Sequence, residues 1–149
     1  MMLRFLTLIL SFLLLFGCKE PKEKENSSDL ATEIERTNCI NLVFEKDSIL
    51  GAIRNHASEK ISLSETINNY TNDLKSLDFN NCPEEFKSSF QNHIEAWLDI
   101  RKVTDKYPSL RGELHAIFAD LEKSSDSTEF NILVKQIWAT WEKVEESSK

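Results

Sequence analysis

From residue 30 onward the chain contains only two glycines, Gly51 and Gly112, and two prolines, Pro83 and Pro108. Tight β-turns draw on these two residue types, so a sheet of many short strands has too little to turn on. The apolar spacing shows what takes the place of strands, because it repeats every three or four residues. Ile49, Leu50, Ile53 and Ala57 define one face of a helix expected from about Asp47 to Glu59, with Asp47 or Ser48 suited to its start. Ser62 and Glu65 stand at capping-box spacing ahead of Ile67, Thr71, Leu74 and Leu77, with Tyr70 beside that stripe. A third helix is expected from Pro83 to about Lys106 through Phe86, Phe90, Ile94, Trp97 and Leu98, ended by Tyr107-Pro108. A fourth carries Leu110, Leu114, Ile117, Phe118 and Leu121. Beyond the polar turn at Ser124 to Ser127, Asp126 and Glu129 stand at capping-box spacing before a fifth, with Phe130, Leu133, Val134, Ile137, Trp141 and Val144. None of these segments is apolar all round, so their faces must be buried against one another. The expected fold class is an all-α, antiparallel bundle of four to five amphipathic helices over residues 30–149. Asp29 to Phe44 is ambiguous: Leu30 and Ile34 fit a short leading helix. The segments show no internal repeat of the kind a solenoid needs.

Residues 1–17 have a different composition. Arg4 is followed by an apolar run from Phe5 to Phe16, interrupted only by Thr7 and Ser11. Twelve helical residues reach about 18 Å, short of a hydrocarbon core of about 30 Å, so the segment reads as an export signal and not a lasting span. It ends Leu15-Phe16-Gly17-Cys18, and at these residues the chain resembles the lipobox of bacterial lipoproteins, with Phe16 larger than the residue usual at its place. The resemblance implies a diacylglyceryl group on the Cys18 sulfur, cleavage after Gly17 and acylation of the new amino terminus. A membrane partnership through that lipid follows. Lys19 and Glu20 stand where an inner-membrane retention signal has aspartate, which implies the outer membrane. Lys19-Glu20 also resembles the start of a surface-export tag, from which Pro21 departs, so the periplasmic face and the cell surface both remain open. Lys19 to Asp29 lacks any apolar residue and reads, with Cys18, as a disordered tether at 18–29.

The formal charge is −7, and loss of Arg4 with the signal makes it −8. Nucleic-acid binding needs clustered lysine and arginine, and a chain this acidic is not expected to bind it. Apart from Cys18 the cysteines are Cys39 and Cys82. In an exported chain an even pair reads first as a disulfide. Their midpoint falls in the turn before Ser62, so an antiparallel hairpin brings both to the same end. Two free thiols are the alternative.

No catalytic constellation stands out. CxxCH, HExxH, GxSxG and glycine-rich phosphate loops are absent, so neither an enzyme nor a cofactor is expected. His56, His93 and His115 fall on three helices, which leaves a metal- or haem-binding bundle as an alternative. Ile53, Phe90 and Gly112, rather than glutamates, stand three residues before them, unlike the carboxylate-bridged pattern. Arg101 projects between Trp97 and Leu98 on an apolar face. With His93 and Trp97 it suggests the wall of an anion or peptide pocket, unless it reaches past the end of the bundle. Trp97 and Trp141 fit core stripes, whereas Trp138, Phe44 and Ile132 point off theirs and are candidates for an exposed contact. The sequence as a whole reads as a lipid-anchored envelope domain that binds an unidentified protein or peptide partner.

Overall fold

The computed structural model describes residues 24–149, with side chains from residue 28. The signal segment, Cys18 and the tether as far as residue 23 lie outside the described residues. The order of elements is α1 Lys24–Ala57, α2 Leu63–Lys75, α3 Glu84–Asp99, α4 Arg101–Thr104, α5 Leu114–Leu121 and α6 Ser127–Ser147, with no strand among the described residues. No helix among them is long and apolar enough to cross a membrane. The chain divides into two units, 1–32 and 33–149. In the first, the described side chains from Ser28 to Thr32 are all exposed, and the Thr32 hydroxyl donates to the Ser28 carbonyl at 3.0 Å. The second is the bundle.

Helix α1 is much longer than the periodicity suggests. It begins at Lys24, so residues 24–29, expected to belong to the disordered tether, are helical. The reason is local: no glycine or proline occurs between Lys24 and Leu50, and a helix once nucleated gains one hydrogen bond per added residue. Asp47 is therefore mid-helix and not a cap. The face of α1 also differs from expectation. Ile49 and Ile53 are about half exposed, and the stripe toward the bundle is Cys39, Val43, Asp47, Leu50, Arg54 and Ser58.

The other helices follow their stripes. Phe86, Phe90, Ile94 and Trp97 of α3 and Phe130, Leu133, Ile137 and Val144 of α6 are buried, as are Leu63, Ile67, Tyr70 and Leu74 of α2. The α3–α6 contact is the most extensive in the bundle, and α2 packs on α3. His93 bonds Thr140, while Lys106 beyond α4 reaches Asp126 and Glu129 at the start of α6, so α3 and α6 run antiparallel. The third expected helix breaks at Ile100 into α3 and α4. Ser62 caps α2 as its spacing indicates, accepting from the Glu65 N–H at 3.2 Å. Asp126 and Glu129 do not form the second capping box. Both carboxylates accept from the Lys106 ammonium, at 2.7 and 3.0 Å, and Asp126 also accepts from Tyr107. A charged donor outcompetes a neutral backbone N–H for the same oxygen.

Cys39 and Cys82 are disulfide-bonded, with Cα atoms 5.2 Å apart, and so tie the middle of α1 to the loop ahead of α3. The far end of α1 is held by backbone: the Gly112 N–H donates to the Ser58 carbonyl at 2.8 Å, and the Ser58 hydroxyl donates to the Gly112 carbonyl at 2.9 Å. Gly112 has φ of +154°, and a Cβ there would press on Ile117 at 3.4 Å, so a side chain is disfavoured on both counts.

Candidate functional site

Helix α1 stands off from its neighbours, and the gap is lined by aromatic residues. Tyr70 of α2 and Trp97 of α3 meet edge to face, with ring centroids 5.5 Å apart. The Arg54 guanidinium sits in the corner between them, its carbon 4.5 Å from the Tyr70 centroid and 4.1 Å from that of Trp97. The Tyr70 hydroxyl donates to Asp47 Oδ1 at 2.7 Å. Asp47 and Arg54 lie seven residues apart on one stripe of α1, which puts both on the bundle-facing side. This is the physical reason the stripe is turned away from Ile49 and Ile53. A phenol and two ring faces meet the polar groups there, which offsets part of the desolvation cost of turning them inward.

His93 lies one turn before Trp97. Its Nε2 accepts from the Trp97 indole N–H at 3.2 Å, which leaves Nδ1 to carry the proton and donate to the Thr140 hydroxyl at 3.0 Å. The Thr140 hydroxyl in turn donates to the Gln136 and Ile137 carbonyls of α6. Burial, seconded by the Arg54 charge, pushes the His93 imidazole down to about 4. Burial also raises the Asp47 carboxyl, against the Tyr70 hydrogen bond and the Arg54 charge, and lowers Arg54. The Tyr70 phenol is pushed up by burial and by Asp47.

On the α6 side, Trp141 packs 5.1 Å from His93 and donates to Glu145 at 3.0 Å, and Trp138 stands 64% exposed at the rim. The opposite wall is Ser48, Gly51 and Ala52 of α1. The cleft is an open groove of about 390 Å³ and adjoins, at Asp47, Ser48 and Trp141, a similarly open trough of about 650 Å³ beside Phe44 and Glu145. Gly51 is mid-helix, where glycine costs about 0.5–1 kcal/mol relative to alanine. Space does not require it: an added Cβ would meet only Arg54 Nη2, at 3.7 Å, an ordinary contact. What its missing side chain does is keep the wall of the cleft open.

Of the residues singled out by sequence, His93, Trp97 and Trp138 line this cleft, and Arg101 does not. Arg101 bridges α4 to α2, donating to Asn68 Oδ1 at 2.9 Å and Ser64 Oγ at 3.3 Å beside Asp105. Ser64 in turn bonds Asp105. The arginine that joins His93 and Trp97 is Arg54. Its spacing from Val43, Asp47 and Leu50 is the signal that reveals it, once polar residues are admitted to a buried stripe. Phe44 is not an exposed contact either: it packs edge-on against Phe86 at 5.5 Å and against Trp141 at 5.8 Å. Trp138 and Ile132 are exposed.

The three histidines do not assemble. Both nitrogens of His93 are engaged, while His56 and His115 are exposed and stand beside Glu59 and Glu113 of their own segments. Among the described residues, no group of three or more His, Cys, Asp or Glu side chains is placed to hold a metal ion. Neither a protein-family model, nor a curated protein, nor a solved structure matches this chain.

Proposed function

We propose that this chain is a lipid-anchored protein of the bacterial cell envelope, held at the outer membrane through Cys18, that works as a recognition module and not as an enzyme. The observation that carries the recognition reading is the placing of Trp97, Trp138 and Trp141. The chain has three tryptophans, and all three line the one cleft between α1, α3 and α6. Large aromatic side chains around a concave surface with a few convergent polar groups are the usual makings of a binding site. The anchor reading rests on Leu15 to Cys18.

The test is site-directed photo-crosslinking in intact cells, with a photoreactive residue in place of Ala52 in the cleft wall and a second in place of the exposed Lys60 as control. The expected result is a discrete adduct from position 52 only, lost when Trp138→Ala is added. In the same cells, labelled palmitate enters the wild type and not Cys18→Ser, which leaves the membrane fraction. Equal adducts from both positions, or none from position 52, overturn the recognition reading. Unchanged membrane retention of Cys18→Ser overturns the anchor.

A further inference from the structure

Arg54 is unusual in how its donors are used. Its Nε and one Nη2 hydrogen go to Asn55 Oδ1, at 3.2 and 3.1 Å, and its faces to Tyr70 and Trp97. Among the described residues no carboxylate forms a salt bridge with it; the Asp47 charge and the Tyr70 hydroxyl favour its charged form, and its only acceptor at hydrogen-bond geometry is Asn55, which leaves Nη1 without one. Asp47, which shares its stripe, uses Oδ1 on Tyr70. The Nη1 edge is not sealed in either, since the side-chain atoms buried without a partner are Thr66 Oγ1 and Thr104 Oγ1. A partly buried guanidinium with a free edge, beside the bare backbone of Gly51 and stacked on Tyr70 and Trp97, has the Asp47 charge nearby but no carboxylate bonded to it directly.

Resting on the recognition reading above, we infer that the cleft takes a carboxylate carried on a flat apolar body. The carboxylate pairs with the free Nη edge of Arg54 while the body lies against Trp138 and Trp141 in the space that Gly51 leaves. A volume of about 390 Å³ suits one aromatic or short-chain acid, or the last residue of a peptide. Asp47 and Glu145 in the adjoining walls disfavour a dianion such as a phosphate monoester. Two sources share this chemistry, a free acid and the C-terminal carboxylate of a chain ending in an apolar residue.

Because all three tryptophans line the cleft, tryptophan fluorescence excited selectively over tyrosine reports on the cleft. The full-length lipidated protein in detergent is titrated with phenylacetate, 3-phenylpropionate and octanoate, with the matching amides and amines, and with a tetrapeptide ending in phenylalanine as acid or amide. The expected result is a saturable change in which acids bind at least tenfold more tightly than amides or amines. Arg54→Gln abolishes that preference, Arg54→Lys retains part of it, and Gly51→Leu weakens every ligand while the circular dichroism is unchanged. A tetrapeptide acid outbinding phenylacetate identifies a protein terminus as the source, and the reverse identifies a small acid. Equal binding of acid and amide, or no saturable response to any acid, overturns the inference. Either result leaves the recognition reading to the crosslinking from position 52.

Discussion

The seam between α3 and α6 and the seam between α1 and the rest of the bundle are built on opposite principles. The first is closed by Phe90, Ile94, Phe130, Leu133 and Ile137, all buried, with backbones close enough for side chains to interdigitate. The second meets the bundle through Val43 and Leu50 but also through Asp47, Arg54 and Ser58, and it is fastened by a disulfide and by the Ser58–Gly112 hydrogen bonds. Apolar packing fills space indiscriminately and seals it. Polar and ring contacts have fixed directions, so they can hold two helices together and still leave a gap. The difference separates a sealed seam from one that leaves an accessible cleft.

The largest effect should come from the sealed seam. Phe90→Ala removes a fully buried ring and is expected to cost about 3–5 kcal/mol, read as a fall in the urea midpoint. A cost under about 1 kcal/mol would mean the seam is not the stabilising one. Opening the fastening of α1 comes next. Replacing Cys39 and Cys82 together with serine is expected to cost about 4 kcal/mol on the chain-entropy account. Hydrogen exchange should then rise first in α1, with α3 and α6 still protected; uniform loss across the helices would erase the distinction between the seams.

The buried imidazole adds a pH dependence that belongs to the α1 side. His93 titrates near 4 when folded and near 6.5 when unfolded, so the unfolded chain binds more protons between those values. Its contribution is therefore fully present above about pH 6.5 and is lost as pH falls toward 4. The size is on the order of 3 kcal/mol. A ring-carbon NMR titration should place the His93 midpoint near 4; a midpoint near 6.5 would show that it is not sealed between Trp97 and Thr140. Tyr70→Phe, which strips the bond to Asp47, should cost about 1–3 kcal/mol by denaturant melt. Smallest of all is Trp138→Ala, expected to change stability by under about 0.5 kcal/mol, because its side chain stands mostly in solvent. A stability loss above 1 kcal/mol would make Trp138 a packing residue and not a rim of the site.

How far each seam was legible in the sequence follows from the same contrast. The closed seam can be read directly, because Phe86, Phe90, Ile94 and Trp97 repeat at helical spacing and apolar periodicity is what such a seam requires. The disulfide follows from the midpoint of the two cysteines and an antiparallel hairpin. The face of α1 does not follow, because a rule that places apolar residues inward selects Ile49 and Ile53 over Asp47 and Arg54. Tertiary partners decide that case: Tyr70 and Trp97 lie far along the chain, and only their meeting offsets the cost of an inward arginine. The same cause explains the exchange of Arg101 for Arg54. The arginine that stands on Trp97 is Arg54, whereas Arg101 meets Asn68 and Ser64 of α2. Thr140, which fixes the tautomer of His93, carries no sequence signal beyond its place beside Trp141. The N-terminal extent of α1 is not legible in the sequence, because charged residues with good helix propensity read as a solvated tether when no apolar stripe runs through them.

On the function proposed above, the α1 side of the bundle is an open recognition cleft organised around Arg54. This is tested most directly by ¹H–¹⁵N NMR of the full-length protein titrated with phenylacetate, following the Arg54 Nε–H and the three indole N–H signals. The account predicts that Arg54, Trp138 and Trp141 shift together along one saturation curve while backbone signals of the α3–α6 seam stay in place. Signals that do not move, or shifts scattered over the surface without Arg54, would contradict it.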